Sequence, residues 1–153
     1  HIRDQKYSTS SVPMSKVYSY LASECEGENI VWIPVTNPLA DTRVYEEAIK
    51  LYKKMDSEYD CLLSVCEFKD YVFYKGKPVG FKPNPWQRSQ DLKKAYFDAG
   101  VFSIYTREQL INTSESGTDE GFIGYEIPRI RAVDIDNQED WDYSEIISKL
   151  IFK

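Results

Sequence analysis

The sequence has few residues of the kinds that build catalytic clusters or covalent cross-links. It contains one His, at position 1, and three Cys among 153 residues. Ser-His-Asp and Cys-His catalysis within the chain therefore have little support. Three Cys do not make a disulfide framework, and Cys61 and Cys66 lie in an apolar run that is typical of core residues. We therefore expect a reducing, cytoplasmic location.

Long hydrophobic runs and an excess of positive charge are also absent. The longest apolar runs, over residues 30–35 and 61–66, are far shorter than the roughly 20 residues of a membrane span. The net charge is −6, whereas a protein that binds a phosphate backbone carries basic patches. The sequence therefore predicts neither a membrane nor a nucleic-acid partner. An acidic protein can still bind a phosphorylated small molecule through a metal ion.

The apolar residues that are present predict an α/β fold. A short amphipathic helix begins at Ser15, and residues 30–35 form a continuous run typical of a strand buried on both faces. Asp41 or Thr42 can cap a long amphipathic helix, and a second buried strand follows over residues 59–66. Strand, helix and strand in this order predict a right-handed βαβ unit and a mostly parallel sheet.

The middle of the chain has a different pattern. Residues 71–81 read as two strands joined by a turn at Lys75-Gly76, followed by a segment rich in Pro and aromatic residues. We interpret residues 71–96 as an inserted lid or dimerisation element. A core strand resumes over 101–105, and residues 112–121 are polar enough to predict a mobile loop.

The last quarter of the chain predicts a strand and a helix. We expect the final strand over residues 129–136 and a helix capped by Asn137 or Asp136. Four apolar residues are expected to form the buried stripe of that helix: Trp141, Ile146, Ile147 and Leu150.

The clearest candidate for chemistry is the Asp134-Ile135-Asp136 triplet at the end of the predicted final strand. Residues two apart on a strand face the same side, so both carboxylates would point to one place. Carboxylate oxygens suit Mg²⁺ or Mn²⁺, and Mg²⁺ uses one or two carboxylates together with phosphates and water. The alternative is that Asp136 only caps the following helix while Asp134 is solvated.

Two further groups are candidate binding residues. Thr36 and Asn37 lie where a buried strand ends, a common ligand position in α/β sheets, although a plain turn before Pro38 is the alternative. Arg88 can hold a carboxylate through two hydrogen bonds, and Gln90 can read hydroxyl or amide groups. The alternative for Arg88 is an exposed ion pair with Asp91 or Asp98.

Taken together, these motifs resemble those of the acylneuraminate cytidylyltransferases, the enzymes that activate sialic, pseudaminic or legionaminic acid. The resemblance runs from about Ser15 to the C-terminus, and it agrees in the order and spacing of three blocks. The blocks are Asn37-Pro38-Leu39; Arg88-Ser-Gln-Asp-Leu92 with Ala95-Tyr96 and Asp98-Ala-Gly100; and Ile127-Pro-Arg with Val133-Asp-Ile-Asp136 and Glu139-Asp-Trp141.

The resemblance implies transfer of CMP from CTP to a nine-carbon α-keto acid sugar with release of pyrophosphate. It implies a Rossmann-like three-layer sandwich and a homodimer formed through the insertion. Asp134 and Asp136 would hold the Mg²⁺ ion, Arg88 and Gln90 would bind the carboxylate and polar groups of the sugar, and Thr36 would line the sugar pocket.

Departures from the family pattern narrow these expectations. The family usually has Gln-Pro-Thr-Ser-Pro-Leu-Arg where residues 34–40 read Pro-Val-Thr-Asn-Pro-Leu-Ala. The sialic-acid branch has Asn-Gly where this chain has Ala99-Gly100, which favours a pseudaminic-type sugar over N-acetylneuraminate. Nothing in the chain matches the family's Gly/Arg/Lys-rich nucleotide loop. We therefore expect the C-terminal part of a single nucleotidyltransferase domain, an incomplete domain that lacks the CTP-binding segment.

Two other functions remain open at the level of sequence. An Asp-x-Asp motif also holds Mn²⁺ and UDP in glycosyltransferases, although there it lies in the middle of the domain. The chain could also serve only as an interaction or dimerisation module, in which case Asp134→Ala would change no ligand or metal response.

Overall fold

The structure is a computed structural model that describes residues 2–55, 59, 61–112 and 121–152. Its helices are α1 (Met14–Glu24), α2 (Thr42–Tyr52), α3 (Arg107–Asn112) and α4 (Gln138–Ile151). Its strands are β1 (Asn29–Trp32), β2 (Cys61–Phe68), β3 (Val72–Tyr74), β4 (Lys77–Val79), β5 (Ala95–Thr106) and β6 (Phe122–Glu126). Short 3₁₀ turns cover Gln5–Ser8, Ser89–Asp91 and Arg129–Arg131. The fold is therefore α/β, as the sequence predicts.

The main sheet is mixed rather than mostly parallel, so that part of the sequence prediction is wrong. Its strand order is β1-β5-β2-β6, with antiparallel pairing of β5 to both β1 and β2 and parallel pairing of β2 to β6. Since β1 and β2 are both antiparallel to β5, they run in the same direction. The predicted β1-α2-β2 unit exists, but β5 lies between its two strands.

The core lies between α2 and the central strands. Leu62 on β2 and Ile104 on β5 are paired neighbours, and both are almost fully buried. Ala48 of α2 is fully buried in the same cluster, which Val44 and Tyr45 join. The α2 helix begins where predicted, because the Asp41 side chain accepts a hydrogen bond from the Val44 N–H at 3.1 Å.

The first strand differs from its prediction in length and burial. It ends at Trp32, forms the edge of the sheet, and alternates between exposed and half-buried residues. Val35, predicted inside the strand, is 95% exposed. A strand buried on both faces is therefore wrong for residues 30–35, because the strand ends at Trp32 and none of its residues is buried.

A large bulge separates the two halves of β5. Leu63 pairs with Ser103 and Val65 pairs with Asp98, so Ser64 alone faces the four residues 99–102. The Ser64 hydroxyl, fully buried, accepts hydrogen bonds from the backbone N–H groups of Val101 (3.1 Å) and Phe102 (3.0 Å). It thus supplies the acceptor that the interrupted ladder lacks.

The inserted hairpin forms as predicted. Strands β3 and β4 are joined by Lys75 and Gly76, both with positive φ (49° and 75°), which matches a two-residue hairpin turn. β5 begins at Ala95, earlier than the predicted residue 101, so the last two residues of the predicted 71–96 insertion belong to the main sheet.

The segment after β6 is not the predicted strand. Pro128 leads into the 3₁₀ turn Arg129–Arg131, and residues 132–137 have no regular secondary structure. The predicted loop over 112–121 falls mostly on residues 113–120, which lie outside the described residues. In the part of the chain that the structure describes, no helix has the length and apolar character needed to cross a membrane.

The last helix has its predicted cap but not its predicted buried stripe. Asn137 caps α4, whereas Trp141, Ile146 and Leu150 are between 57% and 60% exposed and only Ile147 of the four is buried. The helix packs through Ser144 and Ile147 instead.

Candidate functional site

The structure brings the loop after β1 against the segment that precedes α4. The Ile135 N–H donates to the Thr36 carbonyl oxygen at 2.9 Å. The Asn37 side-chain amide donates to the Val133 carbonyl oxygen at 3.2 Å. Four of the six predicted site residues, Thr36, Asn37, Asp134 and Asp136, therefore lie on two segments joined by hydrogen bonds.

The two carboxylates of this junction have no protein partner in the described part of the chain. Asp134 and Asp136 are exposed, and neither side chain forms a hydrogen bond or ion pair with another described residue. Ile135, between them, is half-buried and lines an apolar pocket of about 230 Å³ with Leu39 and Trp141. The predicted alternation of carboxylate and apolar side chain is present, although the segment is not a strand.

The cap of α4 leaves the Asp136 carboxylate unused. The Asn137 side chain accepts from the backbone N–H groups of Glu139 (2.9 Å) and Asp140 (3.1 Å). In return, Asp140 accepts from the backbone N–H groups of Asp136 (3.0 Å) and Asn137 (3.1 Å). The alternative in which Asp136 caps the helix is therefore not what the structure shows, and this carboxylate remains available to a ligand.

The two carboxylates fit a metal ion whose remaining coordination positions are filled by the substrate and water. Among the described residues, no group of three or more His, Cys, Asp or Glu side chains is placed to hold a metal ion. A site made entirely of protein ligands is thus not present there. Two unpartnered carboxylates match Mg²⁺, which commonly takes one or two carboxylates and fills its other positions with phosphate oxygens and water.

Arg131 holds the loop after β1 in place. Its Nη1 donates to the Leu39 carbonyl oxygen at 2.8 Å, and its Nη2 lies 3.0 Å from the Asp41 carboxylate. The side chain of Arg131 is only 19% exposed. The residue therefore ties the segment after β6 to the start of α2, next to the Thr36–Ile135 contact.

Arg88 and Gln90 lie on the inserted segment. The Arg88 guanidinium binds the Asp91 carboxylate through Nε (2.9 Å) and Nη2 (3.2 Å), the pairing that the sequence offered as the alternative. Both side chains are at least half exposed, and such a pair is worth little, so a ligand carboxylate can displace Asp91 at small cost. Gln90 is exposed in the adjoining 3₁₀ turn. No hydrogen bond or ion pair between described residues connects this turn with Thr36 or Asp134.

A second cleft lies near the same end of β1, and sequence reasoning did not assign it. It has a volume of about 210 Å³, and its walls include Tyr18 of α1, Trp32 and Pro34 after β1, and Asp98 at the β5 bulge. The Asp98 motif was visible in the sequence, but its meeting with Tyr18 depends on the packing of α1 against Trp32. The ring centroids of Tyr18 and Trp32 are 4.5 Å apart, in an edge-to-face arrangement.

Comparison with known proteins gives one informative similarity. No family model matches the chain. The chain is 25% identical over 158 aligned residues to pseudaminic acid cytidylyltransferase of Campylobacter jejuni subsp. jejuni serotype O:23/36 (strain 81-176). The alignment covers 94% of this chain, which spans 64% of the length of that relative. Over nearly its whole length, the chain is thus similar to a cytidylyltransferase whose named substrate is pseudaminic acid.

Proposed function

We propose that this chain belongs to a cytidylyltransferase that transfers CMP from CTP to a nonulosonic acid of the pseudaminic type and releases pyrophosphate. The similarity to the Campylobacter enzyme covers 94% of the chain and supports this class of reaction. In this proposal the chain corresponds to the C-terminal part of a Rossmann-like domain, and residues 71–96 take part in a homodimer.

The observation that carries the proposal is the hydrogen bond from Ile135 to Thr36. Together with the adjacent hydrogen bond from the Asn37 side chain to the Val133 carbonyl oxygen, it joins two of the sequence blocks on which the family resemblance depends, blocks that are far apart along the chain. Asp134 and Asp136 flank Ile135 in the sequence, which supports a site formed by both carboxylates and the loop after β1. Ligands of open α/β sheets bind where such loops leave the sheet.

Each of the six predicted site residues has a part in the proposed reaction. Asp134 and Asp136 would hold a Mg²⁺ ion, which when bound neutralises phosphate charge and polarises the α-phosphate. Thr36 borders the sugar, and Asn37 fixes the backbone before Asp134. Arg88 and Gln90 bind the sugar carboxylate and its polar groups, because a guanidinium on an exposed turn can exchange Asp91 for a substrate carboxylate.

The test measures pyrophosphate release by the gene product in its natural length, with CTP, pseudaminic acid and MgCl₂. Asp134→Asn and Asp136→Asn remove one negative charge each while keeping side-chain shape. We expect kcat/KM to fall about a hundredfold or more, since a bound metal ion contributes several kcal/mol to transition-state stabilisation. The Mg²⁺ concentration for half-maximal rate should also rise.

Asp142→Asn is the matched control, because Asp142 is an exposed carboxylate on α4 whose one hydrogen bond among the described residues comes from the Gln138 side chain. It should leave the rate unchanged. Equal activity of the Asp136 variant and this control would contradict the proposed metal site. Turnover with a UDP-sugar but not with CTP would indicate a glycosyltransferase, and no metal or ligand response in any variant would indicate an interaction module.

A further inference from the structure

We propose that the cleft between α1 and the β5 bulge binds the uncharged, acylamino- and hydroxyl-bearing part of the sugar, with Asp98 as the residue that determines specificity. This inference rests on the proposed function for the identity of the sugar. It assigns a role to Tyr18, Trp32, Asp98, Ser103 and Tyr105.

The floor of the cleft is made by neighbouring residues on three strands. Ser103 of β5 pairs with Trp32 on one side and with Leu63 on the other, so the three side chains share one face of the sheet. Tyr105 lies two residues along β5 and faces the same side. Trp32 is the last residue of β1, four positions before Thr36, so the cleft opens near the end of β1 from which the candidate loop leaves.

The Asp98 carboxylate is oriented by the backbone of the bulge. Its Oδ1 accepts a hydrogen bond from the Gly100 N–H at 2.9 Å. Gly100 has a φ of 65°, a left-handed conformation that glycine adopts without strain. One carboxylate oxygen is thereby held by the protein, and the other remains able to accept from a ligand.

Two phenol groups lie within electrostatic reach of this carboxylate. Burial, and to a smaller extent the Asp98 charge, raises the pKa of Tyr18. Burial is likewise the main cause that raises the pKa of Tyr105 to about 12, with further contributions that include the charges of Tyr18 and Asp98. Both phenols are therefore neutral at physiological pH. A side-chain hydrogen bond joins Ser103 to Tyr105, and the Tyr105 and Tyr18 hydroxyl groups can still donate to a ligand in the cleft that these residues line with Asp98.

The chemistry of this lining selects against anions. The described residues that line the cleft include one carboxylate and no Lys, Arg or His. A phosphate or a ligand carboxylate would meet the Asp98 charge without compensation, which is unfavourable. A neutral N–H or O–H donor instead gains a hydrogen bond to a charged acceptor. Trp32 and Tyr18 add an apolar wall for the methyl group of an acyl substituent.

A nonulosonic acid carries its carboxylate at one end of the molecule and acylamino and hydroxyl groups elsewhere. The cleft therefore matches the uncharged groups, while the carboxylate must bind outside it. CTP also carries neutral donors on its base and ribose, so the experiment has to separate sugar from nucleotide.

The test compares the wild-type gene product with Asp98→Asn and Tyr18→Phe. Asn can still accept from Gly100 through its Oδ1, but it presents an NH₂ donor where the carboxylate presented an acceptor. We expect Asp98→Asn to raise the KM for pseudaminic acid about tenfold or more, and Tyr18→Phe to raise it about two- to tenfold. The KM for CTP should stay within about twofold, and Asp142→Asn should change neither constant.

Three results would overturn the inference. Both variants could keep the wild-type KM for the sugar, or the KM for CTP could rise instead, which would place the nucleotide in the cleft. If the wild type forms no CMP-sugar, the proposed function fails. Calorimetric titration of the wild type and both variants with pseudaminic acid then tests separately whether the cleft binds the sugar. Equal binding by the wild type and both variants in that titration would then refute it.

Discussion

The Ser64 hydroxyl provides the sharpest stability test of the structure, because it is the acceptor for two buried backbone donors. Val101 and Phe102 are 0% and 2% exposed, and their N–H groups lie 3.1 and 3.0 Å from the Ser64 oxygen. Ser64→Ala removes this oxygen without adding atoms. It leaves both donors without their partner inside the sheet, at the bulge that carries Asp98.

The expected cost follows from the two orphaned donors. Each buried donor left unpaired costs about 1–3 kcal/mol, so the free energy of unfolding should fall by about 2–6 kcal/mol. With a urea m value of about 2 kcal/mol/M, the unfolding midpoint should fall by about 1–3 M. A loss of this size is a large part of the stability of an ordinary domain.

Urea unfolding followed by tryptophan fluorescence and by far-UV circular dichroism measures this loss. Ser148→Ala is the matched control, because Ser148 is half-buried and its hydroxyl donates, among the described residues, to the Glu145 carbonyl oxygen within the same helix. The control should change the free energy by less than about 0.5 kcal/mol. If Ser64→Ala is no more destabilising than Ser148→Ala, the assignment of Ser64 as the acceptor of the bulge is wrong.

Two further predictions concern the sheet. Gly124→Ala should lower the free energy of unfolding by about 1–3 kcal/mol, because the new Cβ would lie 2.8 Å from Cγ2 of the buried Val65. In a double-mutant cycle, the same substitution should cost less in a Val65→Ala background, where Cγ2 is absent. Burial raises the pKa of Tyr105 to about 12, whereas the unfolded chain releases this proton near 10. The free energy of unfolding should therefore fall as the pH rises from 10 towards 12, and the fall should be smaller in Tyr105→Phe when unfolding is measured at several alkaline pH values.

Local features of the fold could be predicted because they depend on a few neighbouring residues. The turn at Lys75-Gly76 needs positive φ at both positions, which a Lys-Gly pair in a hairpin context indicates. The caps at Asp41 and Asn137 depend on side chains that accept from N–H groups two or three residues ahead. In each case the signal and the structure lie within one turn of chain.

Strand order could not be predicted in the same way. Residues 129–131 and 133–136 each alternate between charged and apolar side chains, a pattern that favours a half-exposed strand. Pro128 instead precedes a 3₁₀ turn, and the backbone of Ile135 pairs with Thr36 rather than with a neighbouring strand. The position of β5 between β1 and β2 likewise depends on pairing across the insertion, which no local pattern encodes.

The candidate site could be predicted only in part, because some of its contacts join parts of the chain that are far apart in sequence. Asp134, Asp136 and Thr36 stand out as motifs, and their meeting agrees with the motif spacing. Asp98 becomes a candidate because its charge acts on Tyr18, and Tyr18 lies on α1, which precedes every strand of the sheet in the chain. Whether Arg88 reaches a substrate depends on where residues 71–96 lie in the proposed homodimer, so its binding role stays a prediction.

Asn37 shows how the junction is held at some energetic cost. Its side chain is 3% exposed, and its amide donates to the Val133 carbonyl oxygen, while its own Oδ1 has no hydrogen-bond partner among the described residues. An unpaired buried acceptor costs about 1–3 kcal/mol, which is at least as much as one neutral hydrogen bond returns. The net contribution of this amide to folding is therefore small or unfavourable. What the amide does provide is a fixed carbonyl one residue before Asp134, so we interpret Asn37 as a residue that positions the carboxylate segment rather than one that stabilises the fold.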